Sequence, residues 1–404
     1  MNKVSAVING QEYSNFLSYE FSRDIEGLLK PFSLTLNIPE DRRVIKTGNN
    51  RVVIKIDGES FLTGFIEDVL ETDQQDKSIV TIIGRDSLCD LVDSKLGAKI
   101  YKTPVSFVEL TKNVLKALNY NVVDKKTRFS REEDISVINN YGDIAILEAN
   151  DDVAHRDNDS AFEVIKRCAD KRRLILNSDG DGNLVINKIG NTVCDTVLLR
   201  YRNNNESNVL TSKVHRDDTS RFHKYIVKSI VTGSKQDSNA TIDPIQSEIV
   251  TKGKKGGSSS IINGTGIYYD DEIRDTRVLA IFKQVSNLKQ ATELAKWEAN
   301  IRKTQSFSYD CLVIGFRQNF DDDLQKNPLW QVNTLVDVED EIKDVFGRFL
   351  IKSIRYTKDN KGTRSNLTLV EEKSYTESLF EPIVRNPRGK RDADKVIIGD
   401  PSVI

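Results

Sequence analysis

The sequence predicts an α+β fold that is mainly β: two related small β-barrel domains, an α/β module inserted between them, and an extended C-terminal arm. Three observations carry this reading. Short strands separated by turn residues fill both ends of the chain, a helical period sets in after Ser94, and the two strand-rich ends match each other at a fixed offset. A length of 404 residues suits two to four domains rather than one core.

Residues 1–94 read as the first barrel. Ser33-Leu34-Thr35-Leu36-Asn37-Ile38 alternates polar and apolar side chains, so Leu34, Leu36 and Ile38 share one face until Pro39 ends the ladder. Val52-Val53-Ile54-Lys55-Ile56 follows. Asp57-Gly58 then reverses the chain, because glycine accepts the positive φ of a tight hairpin, and Phe61 to Val69 returns beside it. A polar turn from Asp73 to Lys77 leads into Ile79-Val80-Thr81-Ile82-Ile83. Short strands at this spacing fit a barrel or sandwich better than a parallel sheet.

Residues 95–198 form the α/β module. Thr103 is the expected cap of a helix that carries Phe107, Leu110, Val114 and Leu118 on one side, with Pro104 in its first turn. Ser160-Ala161-Phe162-Glu163 is a capping box for a second helix with Phe162, Ile165 and Ala169 inward. A hairpin of Leu174-Ile175-Leu176 and Leu184-Val185-Ile186 turns through Gly180 and Gly182.

Residues 199–375 read as the second barrel, interrupted by an insertion at about 236–263 and a helix at about 275–303. The insertion holds the basic Gly/Ser stretch around Lys252 to Lys255, an expected exposed loop. The helix places Ile281, Val285, Leu288, Ala295 and Ala299 on one side. Strands follow at Tyr309 to Phe316, Thr334 to Val338, Phe349 to Tyr356 and Asn366 to Val370. Residues 376–404 form the arm, with Pro382, Pro387, Pro401 and a short apolar cluster, Val396, Ile397 and Ile398, that needs a partner surface to become ordered.

Sliding the chain on itself by 288 residues pairs Phe61 with Phe349, Leu62 with Leu350, Ile66 with Ile354, Ile79 with Leu367 and Ile82 with Val370. The order of strand, polar turn and strand is the same in both copies, which fits a duplication.

Composition narrows the function. Fifty-nine Lys and Arg against 61 Asp and Glu argue against a dedicated nucleic-acid binder, which needs clustered cation for phosphates. No apolar run approaches the roughly 18 residues of a membrane span, and the polar start Met1-Asn2-Lys3 does not fit a secretory signal. Cys89, Cys168, Cys194 and Cys311 stand singly, without zinc spacing or a disulfide framework, and read as structural thiols. His155, His215 and His223 sit in polar stretches away from any nucleophile motif. Asn177-Ser178-Asp179-Gly180-Asp181-Gly182 resembles half a calcium loop, but Lys188 stands where a bidentate Glu is required, so a hairpin turn is the better reading. No cofactor, metal or catalytic residue is expected. A carboxylate pair for glycoside cleavage is the one enzymatic alternative.

Several stretches together resemble the baseplate hub (tail hub, or late control) proteins of Mu-like contractile-tailed bacteriophages. Tyr13, Phe21-Ser22-Arg23-Asp24-Ile25 and Phe32-Ser33-Leu34 look like the family's opening strands. Gly84-Arg85-Asp86-Ser87-Leu88-Cys89-Asp90-Leu91-Val92-Asp93 is similar to its barrel-closing segment, in which Gly84, Arg85, Asp86, Asp90 and Leu91 carry the likeness. Glu293-Leu294-Ala295-Lys296-Trp297-Glu298 and Ser306 resemble the helix before the second barrel. Leu329-Trp330-Gln331-Val332-Asn333-Thr334-Leu335-Val336 resembles Leu-Trp-x-Pro-Asn-x-Leu-Val, matching at Trp330 and Asn333 and departing at Val332. Lys361-Gly362-Thr363 and Leu367 to Val370 match the final hairpin. The likeness spans roughly residues 4 to 375.

The resemblance implies two tube-like barrels and a structural, non-enzymatic hub in the virion baseplate, made in the host cytoplasm. As a homotrimer it would join the sixfold tail tube to the threefold central spike and form the channel for genome ejection. Implied partners are the spike, the tube or tube-initiator protein and other baseplate wedge proteins, with DNA only in passage. The arm is an expected strap to the spike through Val396, Ile397 and Ile398. Alternatives are a spike-base component of a type VI-like secretion system and a tail-associated cell-wall hydrolase.

Overall fold

The computed structural model describes residues 3–37, 45, 47–48, 50–74, 77–97, 99–124, 134–140, 146–147, 154–155, 158–171, 174–190, 192–202, 206–233, 260–282, 288–319, 323 and 327–372. The expected basic loop at Lys252 to Lys255 and the whole C-terminal arm lie outside them. The first part of the chain supplies β1 (Val4–Ile8), β2 (Gln11–Tyr13), β3 (Phe16–Asp24), β4 (Phe32–Asn37), β5 (Arg51–Ile56), β6 (Glu59–Gln74) and β7 (Lys77–Asp86). Alternation is the reason these are strands: Phe32, Leu34 and Leu36 of β4, and Val52, Ile54 and Ile56 of β5, all point into one core. Asp57 and Gly58 take positive φ, 53° and 87°, and close the β5–β6 hairpin as the sequence predicts.

A short helix, α1 (Cys89–Asp93), leads into the module. There β8 (Lys99–Ile100), β9 (Val105–Ser106), α2 (Phe107–Ala117), β10 (Val122–Val123), β11 (Ile135–Asn139), β12 (Ile146–Leu147), β13 (Ala154–His155), α3 (Ala161–Lys171), β14 (Ile175–Ser178) and β15 (Leu184–Asn187) follow in order. A four-stranded sheet, β10-β11-β15-β14, shares a core with α2 and α3 made of Leu110, Val114, Ile165, Leu176 and Leu184. Burying one such side chain stabilises by roughly 1.5–3 kcal/mol. The α3 capping box is present: Glu163 N donates to Ser160 Oγ at 3.3 Å and Ser160 N to Glu163 Oε2 at 2.6 Å. The expected cap on α2 is corrected. Strand β9 intervenes after Pro104, and Ser106 is the cap, accepting from Glu109 N at 3.1 Å. The supposed calcium loop is a self-bonded turn, in which Asp179 Oδ1 accepts from Asp181 N at 3.0 Å and Asn183 N at 2.8 Å.

Beyond the module run β16 (Thr192–Arg200), β17 (Val209–Arg216), β18 (Lys224–Gly233), β19 (Ser260–Tyr269), β20 (Val278–Phe282), α4 (Leu288–Gln305), β21 (Phe307–Ile314), β22 (Thr334–Asp340), β23 (Val345–Asp359) and β24 (Gly362–Val370). The segment expected as one helix from about 275 to 303 is divided. Val278-Leu279-Ala280-Ile281-Phe282 pairs in parallel with β18, turning Leu279 and Ile281 toward α4 and leaving Val278, Ala280 and Phe282 exposed. A five-residue apolar run fits either period, and sheet pairing decides it. Ala295 and Ala299 are buried on the β18-β19 sheet, with Tyr225 and Val227 opposite.

Thirteen strands form one sheet, in the order β17-β21-β24-β23-β3-β4-β7-β6-β5-β1-β2, with β22 and β16 branching from β23. Among the described strands no ladder closes either half on itself. The halves join where Ser353 to Lys358 of β23 run antiparallel to Asp24 to Tyr19 of β3. Each half repeats one order: β3-β4-β7-β6-β5-β1 in the first, β17-β21-β24-β23-β22-β16 in the second. Four of the five pairings correspond in direction as well. The fifth does not, since β1 runs antiparallel to β5 whereas β16 runs parallel to β22.

The registers sharpen the internal match. Two ladders in each half carry a bulge at the same place: beside Glu67 on β6 and Lys352 on β23, and beside Leu17 on β3 and Leu210 on β17. Aligned on these bulges, Ile66 superposes on Ile351, Ile82 on Leu367, Leu34 on Cys311, Val52 on Val336 and Ile54 on Val338, every one buried. The offset on β6 and β7 is three residues shorter than the slide of 288, so Ile66 corresponds to Ile351 rather than Ile354.

Candidate assembly surface

The residues that carry the family likeness gather where the module joins the sheet. Gly84 lies on β7 directly beside β4 and β6: a Cβ there would stand 2.1 Å from Phe65 O and 2.4 Å from Phe32 Cζ. Only glycine lets the three strands approach this closely. Next to it, Arg85 spans two carboxylates, with Nε 2.7 Å from Glu67 Oε2 and Nη1 3.2 Å from Asp93 Oδ1. This fork ties β6 to the end of α1 and holds the Arg85 guanidinium firmly protonated through its bonds to Glu67 and Asp93. Asp90 is exposed in the first turn of α1, while Leu91 turns inward into the module core.

Asp86 enters the interior. Its carboxylate accepts from Ser178 Oγ at 2.5 Å and from Leu88 N at 3.1 Å, joining β7 to the β14 hairpin. Lys30, 3% exposed, donates to the Ser178 carbonyl from the other side. Arg23 donates to Phe61 O at 2.6 Å and stacks 3.9 Å over the Phe61 ring. Burial pushes the Asp86 carboxyl up and the Arg23 guanidinium down. It also pushes the Lys30 amine down to about 7, with the neighbouring Arg23 charge adding to the effect. Sequence reading missed Lys30, because a single lysine before Pro31 looks like any loop cation.

Trp330 and Asn333 lie at the other junction, where the chain leaves the module. Trp330 is buried in the large core, its backbone N–H donating to Phe316 O at 2.9 Å and its carbonyl accepting from the Tyr356 hydroxyl. Asn333 has φ 66°, accepts from Gly190 N at 2.8 Å and donates to Lys188 O at 2.7 Å. Its own N–H reaches Ile351 O at 3.0 Å. One residue thus fastens the turn after β15 to β23, the side chain holding the turn and the backbone N–H holding the strand. Gly84, Arg85, Asp86 and Leu91 hold the way into the module, and Asn333 holds the way out, while Trp330 packs in the large core. The structure brings them together as two joints rather than as one pocket. Val396, Ile397 and Ile398 lie outside the described residues.

All four cysteines are buried and outside any disulfide, and burial pushes the Cys89, Cys194 and Cys311 thiols up. Among the described residues no group of His, Cys, Asp or Glu has the arrangement of a metal site. No described helix is long and apolar enough to cross a membrane.

Several strand edges are left open among the described strands, those of β2 and β16 included. Among the described strands β17 pairs with β21 alone, and β6 beyond Ile66 pairs with β7 alone. Leu70 on the β6 edge and Leu210 on β17 are 52% and 46% exposed. Sequence reading passed over these edges, although a signal was present: Leu17 and Leu210 each precede an Arg-Asp pair, Arg23-Asp24 and Arg216-Asp217, by the same spacing.

Comparison with known proteins follows the two sheet halves. Residues 3–86 match the model of the Mu phage baseplate assembly protein GpP-like N-terminal domain, and residues 287–377 match that of the GpP fourth domain. The baseplate hub protein gp44 of Escherichia phage Mu is 22% identical over 349 residues, covering 84% of this chain and 79% of its own. The 43 kDa tail protein of prophage MuSo2 from Shewanella oneidensis superposes with a TM-score of 0.66 at 22% identity, over 93% of this chain and 99% of that one. A tail protein from Neisseria meningitidis MC58 gives a TM-score of 0.68 at 16% identity, over 94% and 99%. The chain is therefore similar over most of its length to the baseplate hub protein of phage Mu, and its two ends match the N-terminal and fourth domains of the Mu phage baseplate assembly protein GpP-like group.

Proposed function

We propose that this protein is the structural hub of a contractile-tail baseplate, a homotrimer that joins the sixfold tail tube to the threefold central spike and lines the channel for genome ejection. One observation carries the reading: a single chain holds the same strand order twice, with matched bulges, the first copy lying in the segment that matches the first family domain and β21 to β24 of the second copy in the segment that matches the fourth. Three such chains offer six equivalent barrel-like sheets to a sixfold ring and three equivalent faces to a trimeric spike. The near balance of 59 cations and 61 acids suits a wall past which DNA slides without binding.

The hub acts by geometry rather than catalysis, with the tube or tube initiator on one side, the spike on the other and wedge proteins around it. The arm of residues 376–404 is the strap to the spike, with Val396, Ile397 and Ile398 as its apolar contact. Co-expression with the spike tests this. Full-length chain retains the spike through size-exclusion chromatography, and deletion of residues 381–404 weakens that retention without changing the fold. Equal retention would remove the strap. A zymogram that clears peptidoglycan would replace the hub reading by the hydrolase alternative.

A further inference from the structure

We propose that the cleft between β23 and the turn from α4 into β21 is the seat of the chain's own arm, which enters it with Leu379 and Phe380. The contact concerns the root of the arm. It is separate from the spike contact of Val396, Ile397 and Ile398 and does not rest on the hub reading. The cleft has a volume of about 390 Å³ and is walled by Phe307, Phe346 and Phe349, with Arg216, Lys303 and Glu371 around them. That volume is within the range of concave sites that enclose a ligand.

The strands explain why three rings meet there. Phe307 opens β21, Phe349 lies on β23, and their rings stack 5.7 Å apart at 27°. Arg216 of β17 stands opposite Phe307 in the ladder and covers its ring at 5.6 Å. Phe346, at the start of β23, completes the wall and is 56% exposed. One exposed ring on a surface is ordinary, but a ring on the wall of an aromatic cleft marks a place for an apolar occupant.

Continuity of the chain names the occupant. Glu371 lines the cleft and Glu372 is the last described residue, so the arm departs from the rim itself. Phe380 follows Glu372 by eight residues, and an extended chain of that length reaches up to about 27 Å. Leu379-Phe380 is the first pair of adjacent apolar side chains after Val370. Charge agrees with the match. The pair stands between Glu377 and Glu381, while Arg216 is exposed and makes no ion pair among the described residues. Lys303, the second cation at the cleft, is bonded to Glu272 from one side only and keeps a half-exposed side chain. Of the acids at the rim, Glu371 belongs to the departing chain, which continues with Lys373, and Asp344 sits at the β22–β23 hairpin tip. A short tether holds its end at an effective concentration near millimolar, so even a weak contact of this kind is filled within the chain. Anchoring Phe380 leaves Glu381 to Ile404 as the free part of the arm.

The test uses the full chain and a fluorescein-labelled peptide of residues 374–387, followed by anisotropy. A chain with Leu379→Asp and Phe380→Asp has an empty cleft and binds the peptide at roughly millimolar concentration or below; the unaltered chain binds it about tenfold more weakly or less, because its own arm competes. Adding Phe346→Ser and Arg216→Glu to the emptied chain weakens peptide binding by about tenfold. Phe282→Ser removes a ring that is 79% exposed elsewhere and leaves binding unchanged. Failure of the peptide to bind the emptied chain, equal binding to both chains, or indifference to Phe346→Ser with Arg216→Glu overturns the proposal. Competition that fades as the chain is diluted puts the arm of a second copy in the cleft and overturns the contact within the chain. Hydrogen exchange gives a second reading: the segment from Ile342 to Phe349 exchanges several-fold faster in the emptied chain, and equal exchange contradicts the proposal. Neither measurement involves the spike, so both outcomes leave the hub reading as it stands.

Discussion

Arg23 and Arg216 occupy the same position in two copies of one strand: each follows a bulge leucine, Leu17 or Leu210, at equal spacing, and each is followed by an aspartate. Their surroundings differ. Arg23 is enclosed by the β23 junction and bonds to Phe61 O at 2.6 Å, whereas Arg216 is exposed beside the Phe307 ring at 5.6 Å. The internal copy shows how the strand is covered when a neighbouring strand is present, and the external copy leaves the equivalent arginine exposed.

The buried cations next to Asp86 depend on its charge. Asp86→Ala leaves Lys30 and Arg23 inside without their shared carboxylate, and breaking such a buried set costs about 3–5 kcal/mol. Urea unfolding should show this loss. The double change Lys30→Met with Asp86→Leu should recover most of it, because both charges are removed together.

Gly84→Ala forces a methyl group into Phe65 O and the Phe32 ring. Overpacking of this kind costs about 1–3 kcal/mol, so the melting temperature of the first sheet half should fall. Gly27→Ala is the control. Its nearest neighbour would be 3.7 Å away, and the expected change is within about 0.5 kcal/mol.

Asn333 contributes both a left-handed backbone and two bonds to the turn at Lys188 and Gly190. Asn333→Gly keeps the backbone and loses the bonds, at a cost of about 1–2 kcal/mol. Asn333→Ala loses both and should be the less stable variant by a further ~1 kcal/mol. Hydrogen exchange at Gly190 should speed up in both.

Glu272 joins the β19 loop to α4, bonding Arg221 at 2.6 Å and Lys303. These two cations hold its carboxyl at about 2, below the usual 4.5. A carboxylate with a depressed folded pKa adds stability that is complete above its unfolded value and lost as pH falls through the folded one. Stability of the α4 unit should therefore decline between about pH 4.5 and pH 2. Glu272→Gln should flatten the decline over that window when followed by circular dichroism.

Much of the fold was legible because period-two alternation survives wherever one face of a strand is buried. Leu34, Leu36, Ile54, Ile82 and Leu367 are core residues for the reason the sequence shows. Val278 to Phe282 was misread because five apolar residues in a row satisfy both periods, and only the pairing with β18 distinguishes them. The duplication was visible, but its offset was not. Bulges at Glu67 and Lys352 shift the ladder without leaving a mark in composition. At the joints, Arg85, Asp86 and Asn333 stood out by their likeness to a family, yet Lys30 did not, since its partner Ser178 is brought near only by the folded module.

The most direct test of the central claim is single-particle electron microscopy of the purified chain with its spike. The account predicts a threefold ring in which six sheet halves surround one axis. Isolated chains, or a ring built from any number other than three, would contradict it.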